Sequence, residues 1–134
     1  MFKFCEIIDK QKVNNMNPIV LAFVGDAVYS LFIREKLACN TDCKTGELNK
    51  QSTAKVNATA QASFVKENFD LFTEEELTIF KRARNAKKTT KAKNSSVAEY
   101  NLATGFEAVL GYLYLTGNFE RLNFILNKGK TNED

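Results

Sequence analysis

The sequence predicts an all-α fold, and three observations carry that prediction. Apolar residues recur at spacings of three and four along the most hydrophobic stretches, two capping boxes mark helix starts, and no stretch of useful length alternates apolar and polar residues as a strand would. Asn17 followed by Pro18 is an N-cap with proline at the first helical position, and the apolar periodicity then runs to about Leu37. After "ACNTDCKTG" a second helix is expected from about Glu47 to Asn68, with Leu48, Val56, Ala60, Phe64 and Val65 on one stripe and polar residues on the other face. Thr73 with Glu76 opens a shorter helix carrying Leu77, Phe80 and Ala83, which ends near Asn85. Ser96 with Glu99 opens "YNLATGFEAVLGYLYL", which stops at Gly117. Asn118 then caps a last amphipathic helix to about Leu126, and residues 127–134 are expected to fray.

At 134 residues, 44% hydrophobic and 26% charged, the chain is expected to form a single domain over residues 1–134 with a core that needs no disulfides. The longest apolar stretch is broken by Asp26 and Arg34 and falls short of a membrane span. The start, "MFKFCEIIDK", lacks the basic-then-apolar order of a secretory leader, so a cytoplasmic location is expected. Cys5, Cys39 and Cys43 are odd in number and form no CxxC pair, and without histidine they cannot complete a tetrahedral zinc site. The absence of histidine also excludes Ser-His and Cys-His nucleophiles. Hydrolysis by this chain must therefore rest on carboxylates, a metal or lysine.

Charge is distributed unevenly. Lys81, Arg82, Arg84, Lys87, Lys88, Lys91 and Lys93 fall in one segment with no acid, and the rest of the chain is net acidic although the whole carries +3. Against this stand two carboxylates inside the two most apolar helices, Asp26 in "LAFVGDAVYSLF" and Glu107 in "ATGFEAVLGYLYL". The helical neighbours of Asp26 at three and four residues are Ala22, Phe23, Tyr29 and Ser30, and those of Glu107 are Ala103, Thr104, Leu110 and Gly111, so neither acid has a cation on its own helix at that spacing. Gly25, Gly105 and Gly111 lie beside the two acids, and glycine inside a helix costs about 1 kcal/mol against alanine, which points to close helix approach. If both acids face one crevice, a proton or a hard cation such as Mg²⁺ must relieve their repulsion. Equally open at this point, Asp26 pairs with a distant lysine or caps a loop and Glu107 faces water.

At these residues the chain resembles the ribonuclease III catalytic domain. "LAFVGDAVYSLFIR" is similar to that family's signature helix and "TGFEAVLGYLYLTG" to its second acidic motif. "STAKVNATAQA", "FTEEELTIFKRARNAK" and "YNLATGFEAVLGYLYL" resemble, in order and spacing, its short bacterial branch, mini-ribonuclease III, which lacks a double-stranded-RNA-binding domain. The resemblance implies an all-helical homodimeric endonuclease that uses Mg²⁺, with Mn²⁺ able to substitute, to cut double-stranded RNA to 5′-phosphate and 3′-hydroxyl ends. It further implies a role in maturing the ends of large-subunit (23S) ribosomal RNA precursor. Asp26 matches the catalytic aspartate and Glu107 the metal-binding glutamate, both as catalytic residues and metal ligands. Larger members carry further acids where this chain has Ala22 and Thr104, which implies weaker metal binding that relies on water and RNA oxygens, and leaves open whether the site holds one ion or two.

The candidate RNA-binding residues are Lys81, Arg82, Arg84, Asn85, Lys87, Lys88, Lys91 and Lys93 in the basic segment (a loop over about 85–95), joined by Lys50 and Lys55 on the second helix. Ser52, Asn57 and Gln61 on the same polar face are weaker candidates for phosphate or 2′-hydroxyl contacts. Phe23, Tyr29, Phe32, Phe106 and Tyr112 are expected in the core or a dimer contact, because a duplex offers no splayed bases to stack on. The competing reading is a non-catalytic RNA-binding or ribosome-assembly factor on the same fold.

Overall fold

The computed structural model describes residues 4–40, 45–88 and 96–128, with the side chains of Thr45 and residues 53–56 left aside. Among the described residues seven α-helices follow in order: α1 Lys10–Asn14, α2 Pro18–Asn40, α3 Thr45–Val56, α4 Ala58–Asn68, α5 Glu74–Asn85, α6 Val97–Leu115 and α7 Phe119–Lys128. A 3-10 turn, Phe69–Leu71, joins α4 to α5, and no strand occurs among the described residues. The all-α prediction holds. Cys43, Lys91, Lys93 and most of the predicted tail lie outside the described residues, as does the side chain of Lys55.

Local chemistry sets the helix ends. The Asn17 side chain accepts the Ile19 N–H at 2.8 Å ahead of Pro18, and both capping boxes form reciprocally, Thr73 with Glu76 and Ser96 with Glu99. At the end of α6 the Gly117 and Asn118 N–H groups donate to the carbonyls of Tyr114 (3.2 Å) and Leu113 (2.9 Å), a Schellman motif whose turn residue is Gly117 at φ 77°. One expectation fails: the predicted helix from Glu47 to Asn68 is two helices. The Asn57 side chain accepts the Ala60 N–H at 2.8 Å, starting α4 afresh, a cap that competes with continuation of α3.

α6 is the central helix. Almost every residue from Ala103 to Leu113 is buried, so this helix needs cover on all sides, and α2, α4 and α5 supply it, with α1 and α7 at its far end. Phe106, Leu110 and Tyr112 meet Leu21, Phe80 and Ile79 in one core. Tyr112 is buried, and its hydroxyl donates to Glu75 on α5. α7 is fastened by Arg121, whose guanidinium grips the buried Glu76 carboxylate through two 2.8 Å bonds and donates to the Leu71 carbonyl at 2.6 Å.

α2 crosses α6 in close backbone contact. A Cβ added to Gly25 would overlap the Glu107 carbonyl and lie 2.9 Å from the Gly111 nitrogen, and one added to Gly111 would overlap the Leu21 carbonyl. The two backbones therefore touch without intervening side chains, as the glycines beside the acids suggested. Gly105 fills a comparable role against the Phe80 ring, 2.7 Å from a would-be Cβ. Gly25→Ala or Gly111→Ala should destabilise the fold by about 3 kcal/mol, because backbone cannot yield as a rotamer can. Gly46→Ala, with nothing within 4 Å, should instead be neutral or stabilising by up to about 1 kcal/mol. Urea melts of the three variants check this; equal effects at Gly25 and Gly46 would contradict the close crossing.

Candidate active site

The glycine crossing puts Asp26 of α2 beside Glu107 of α6. The two carboxyl groups share a hydrogen bond across a cleft of about 190 Å³, which is also lined by Ala22, Thr104, Tyr100 and Lys88. Asp26 stands at the exposed lip and Glu107 is half-buried deeper in. Behind Glu107 lies Gln61 of α4, only 1% exposed, whose Nε2 donates to Glu107 Oε2 at 3.2 Å. Gln61 was expected on an RNA-facing polar surface; it is instead buried against the acid. Ser52, from the same predicted face, is buried as well, at 6% exposure.

Burial raises the Glu107 pKa to about 9, with the hydrogen bond to Asp26 and the Asp26 charge pushing the same way and Gln61 opposing them. The Tyr29 hydroxyl is likewise raised, first by burial and then by the Glu107 charge, while its ring lies edge-on to Phe106 at 5.5 Å. The site thus disfavours two free negative charges. It takes either a proton or a cation.

The donor set fits a hard divalent cation. Two carboxylates from neighbouring helices offer oxygen ligands at the open end of a cleft, and a buried amide orients one of them. Among the described residues no third acid, cysteine or histidine joins them, so water and substrate oxygens would complete the coordination. Ala22 and Thr104 both line the cleft, and the Thr104 hydroxyl is turned back to the Tyr100 carbonyl at 2.9 Å. These two positions face the site without adding an acid to it.

The predicted RNA-binding residues separate into distinct surroundings. Lys81, Lys87 and Asn85 are exposed around the end of α5, and Lys50 is exposed on α3. Arg82 donates to the carbonyls of Asn14 (2.7 Å) and Met16 (3.4 Å), fastening the α1–α2 turn. Arg84 lies over the Phe80 ring at 5.7 Å and donates to Asn85. Lys88 alone of the described group lines the cleft. Of the aromatic residues, Phe32, Phe106 and Tyr112 are buried, Tyr29 is half-buried and Phe23 is 79% exposed.

The Ribonuclease III domain family matches residues 19–118, which contain both acids, the crossing glycines and Gln61. The chain belongs to the ribonuclease III family. It is 50% identical over 121 residues to the Mini-ribonuclease 3 of Thermoanaerobacter sp. (strain X514), covering 90% of this chain and 85% of that one. To the Mini-ribonuclease 3 of Staphylococcus aureus it is 40% identical over 126 residues, covering 90% and 94%. A crystal structure of a Fusobacterium nucleatum protein superposes with a TM-score of 0.80 at 34% identity, over 92% of this chain and 98% of that one. The protein is a ribonuclease III-type endoribonuclease.

The Glu107 environment has a consequence for stability. Its folded pKa lies above the ordinary 4.5, so in metal-free protein its contribution is fully present below about pH 4.5. That contribution declines as pH rises towards about 9, because over this window the unfolded chain ionises the group and the folded one does not. Urea midpoints measured in chelator from pH 5 to 9 should fall more steeply for wild type than for Glu107→Gln. Identical slopes would show that Glu107 titrates normally in the fold.

Proposed function

We propose that this endoribonuclease hydrolyses double-stranded RNA at the Asp26–Glu107 cleft with Mg²⁺, Mn²⁺ being able to substitute, and leaves 5′-phosphate and 3′-hydroxyl ends. The observation that carries this reading is the contact of two carboxylates from different helices in a cleft open to solvent. Asp26 and Glu107 would hold the ion, and Gln61 would fix the Glu107 carboxylate towards it. When bound there, the ion supplies Lewis acidity and a water of lowered pKa, which suits phosphodiester hydrolysis in a chain without histidine. Lys81, Arg84, Asn85 and Lys87 with Lys50 would take RNA phosphates, extended by Lys55, Lys88, Lys91 and Lys93; Arg82 joins them through whatever charge its structural bonds leave exposed. A-form duplex is met mainly through phosphates and 2′-hydroxyls, so such a surface needs cations more than base readers.

We assign the whole chain, residues 1–134, to one catalytic domain acting as a homodimer on large-subunit (23S) ribosomal RNA precursor in the cytoplasm. No described helix is long and apolar enough to cross a membrane. Support for the dimer comes from α2, where Val20 (48% exposed), Phe23 (79%) and Leu31 (62%) join Ala27 in one uncovered apolar stripe.

Three outcomes are expected. Asp26→Asn should cut a long RNA duplex at least 1,000-fold more slowly in Mg²⁺ while keeping the wild-type melting temperature; wild-type cleavage by a folded variant would refute the site. Gln61→Leu should weaken divalent-ion binding, read by calorimetry with Mn²⁺, by about 10- to 100-fold. Leu31→Glu should convert a sedimenting dimer to monomer, and an unchanged sedimentation coefficient would place the dimer contact elsewhere.

A further inference from the structure

The basic segment supplies many cations, but one is set apart. Lys88 follows the end of α5 and its Nζ donates to the carbonyls of Arg84 and Ala86, each at 2.9 Å. These bonds use two of the ammonium's three N–H donors, and among the described residues no acceptor takes the third and no carboxylate pairs with it. The side chain is half-buried and lines the cleft that holds Asp26 and Glu107. Burial lowers its pKa, a sign that part of its hydration has already been stripped. A cation held by backbone carbonyls, partly desolvated and without a carboxylate partner among the described residues, in one cleft with two acids, is suited to an anion brought in from outside.

The reaction calls for such a group. As water forms its bond to phosphorus and the P–O3′ bond breaks, that water supplies the oxygen of the 5′-phosphate and the proton that ends on the 3′-hydroxyl. Between those events the non-bridging oxygens carry added negative charge, which preorganised donors stabilise most effectively in a partly dry site. With Ala22 and Thr104 in the cleft wall, the acids present can hold one ion but offer little for a second.

We propose that Lys88 is a catalytic residue, its ammonium contacting a non-bridging oxygen of the scissile phosphate and stabilising the charge that develops there. This rests on the reading of Asp26 and Glu107 as the nuclease centre, and it separates Lys88 from the lysines that only hold the duplex.

The test uses the full chain, Mg²⁺, and a short RNA duplex whose cut has been mapped with wild type. Single-turnover rates are taken at saturating protein, and duplex affinity is measured separately in Ca²⁺. Lys88→Ala should lower the saturated rate by about 100-fold or more and change the duplex Kd by less than about 3-fold, while Lys88→Arg recovers at least tenfold of the rate. Sulfur placed on one non-bridging oxygen of the scissile phosphate should slow wild type but add little to the Lys88→Ala defect. A weaker Kd with an unchanged saturated rate would overturn the proposal, leaving Lys88 an ordinary backbone contact. A slower rate with a lowered melting temperature and an undiminished sulfur effect would also overturn it, leaving Lys88 a brace for the end of α5. Asp26→Asn is run alongside: an active Asp26→Asn would refute the nuclease centre itself, whereas an inactive Asp26→Asn beside a fully active Lys88→Ala refutes the Lys88 role alone.

Discussion

Backbone contact between α2 and α6 at Gly25 and Gly111 governs where everything else lies. Gly25 precedes Asp26 and abuts the carbonyl of Glu107, so the crossing point and the acidic pair are the same place in the fold. Side chains larger than hydrogen would hold the helices at the usual 8–10 Å between axes, and the carboxylates would part with them. Packing and chemistry are therefore not independent here. The crossing that lets the most apolar helix sink into the core also drives two acids into a half-dry cleft, and that placement works against stability until a proton or cation arrives.

How much of this could be read from residues alone depends on the range of the interaction. Capping boxes at Thr73 and Ser96 and the Gly117 stop are settled within a few residues, and they stand where the pattern puts them. The glycines flanking the acids signalled close approach because nothing local justifies them. Asn57 was read as part of a polar face rather than as a cap because the Ala- and Lys-rich pattern continues through it, and only the cap geometry shows that the helix restarts. Gln61 was hidden by its polarity. Its spacing held the clue: it precedes Val65 by one helical turn and so shares the face that packs against α6. The five-residue α1 is too short to show a period at all.

α5 shows how a helix can meet local and functional demands with one arrangement of charge. Its first turn carries Glu74, Glu75 and Glu76 and its last turn Arg82 and Arg84, the order that complements the backbone dipole. The acidic end is held down: Glu76 caps the helix and grips Arg121, and Glu75 accepts from Tyr112. The basic end is spread between Arg82 on the α1–α2 turn, Arg84 over Phe80, exposed Lys81 and Lys87, and Lys88 in the cleft. Counting charges in this stretch overstates the surface available to a polyanion, because Arg82 is also needed by the fold.

α2 carries three environments around its circumference. Leu21, Val28 and Phe32 enter the core, Ala22 and Asp26 line the cleft, and Val20, Ala27 and Leu31 remain open. Phe23 belongs to the last two at once, lining the cleft while standing 79% exposed. A second chain seated on the open stripe would therefore press, through Phe23, on a wall of the candidate cleft. Coupling of this kind needs no long-range pathway, since one side chain touches both places. If the proposed dimer forms on this stripe, Phe23 would join the subunit contact to the proposed catalytic cleft, and a variant that separates the chains would disturb the cleft even with Asp26, Glu107 and Lys88 intact.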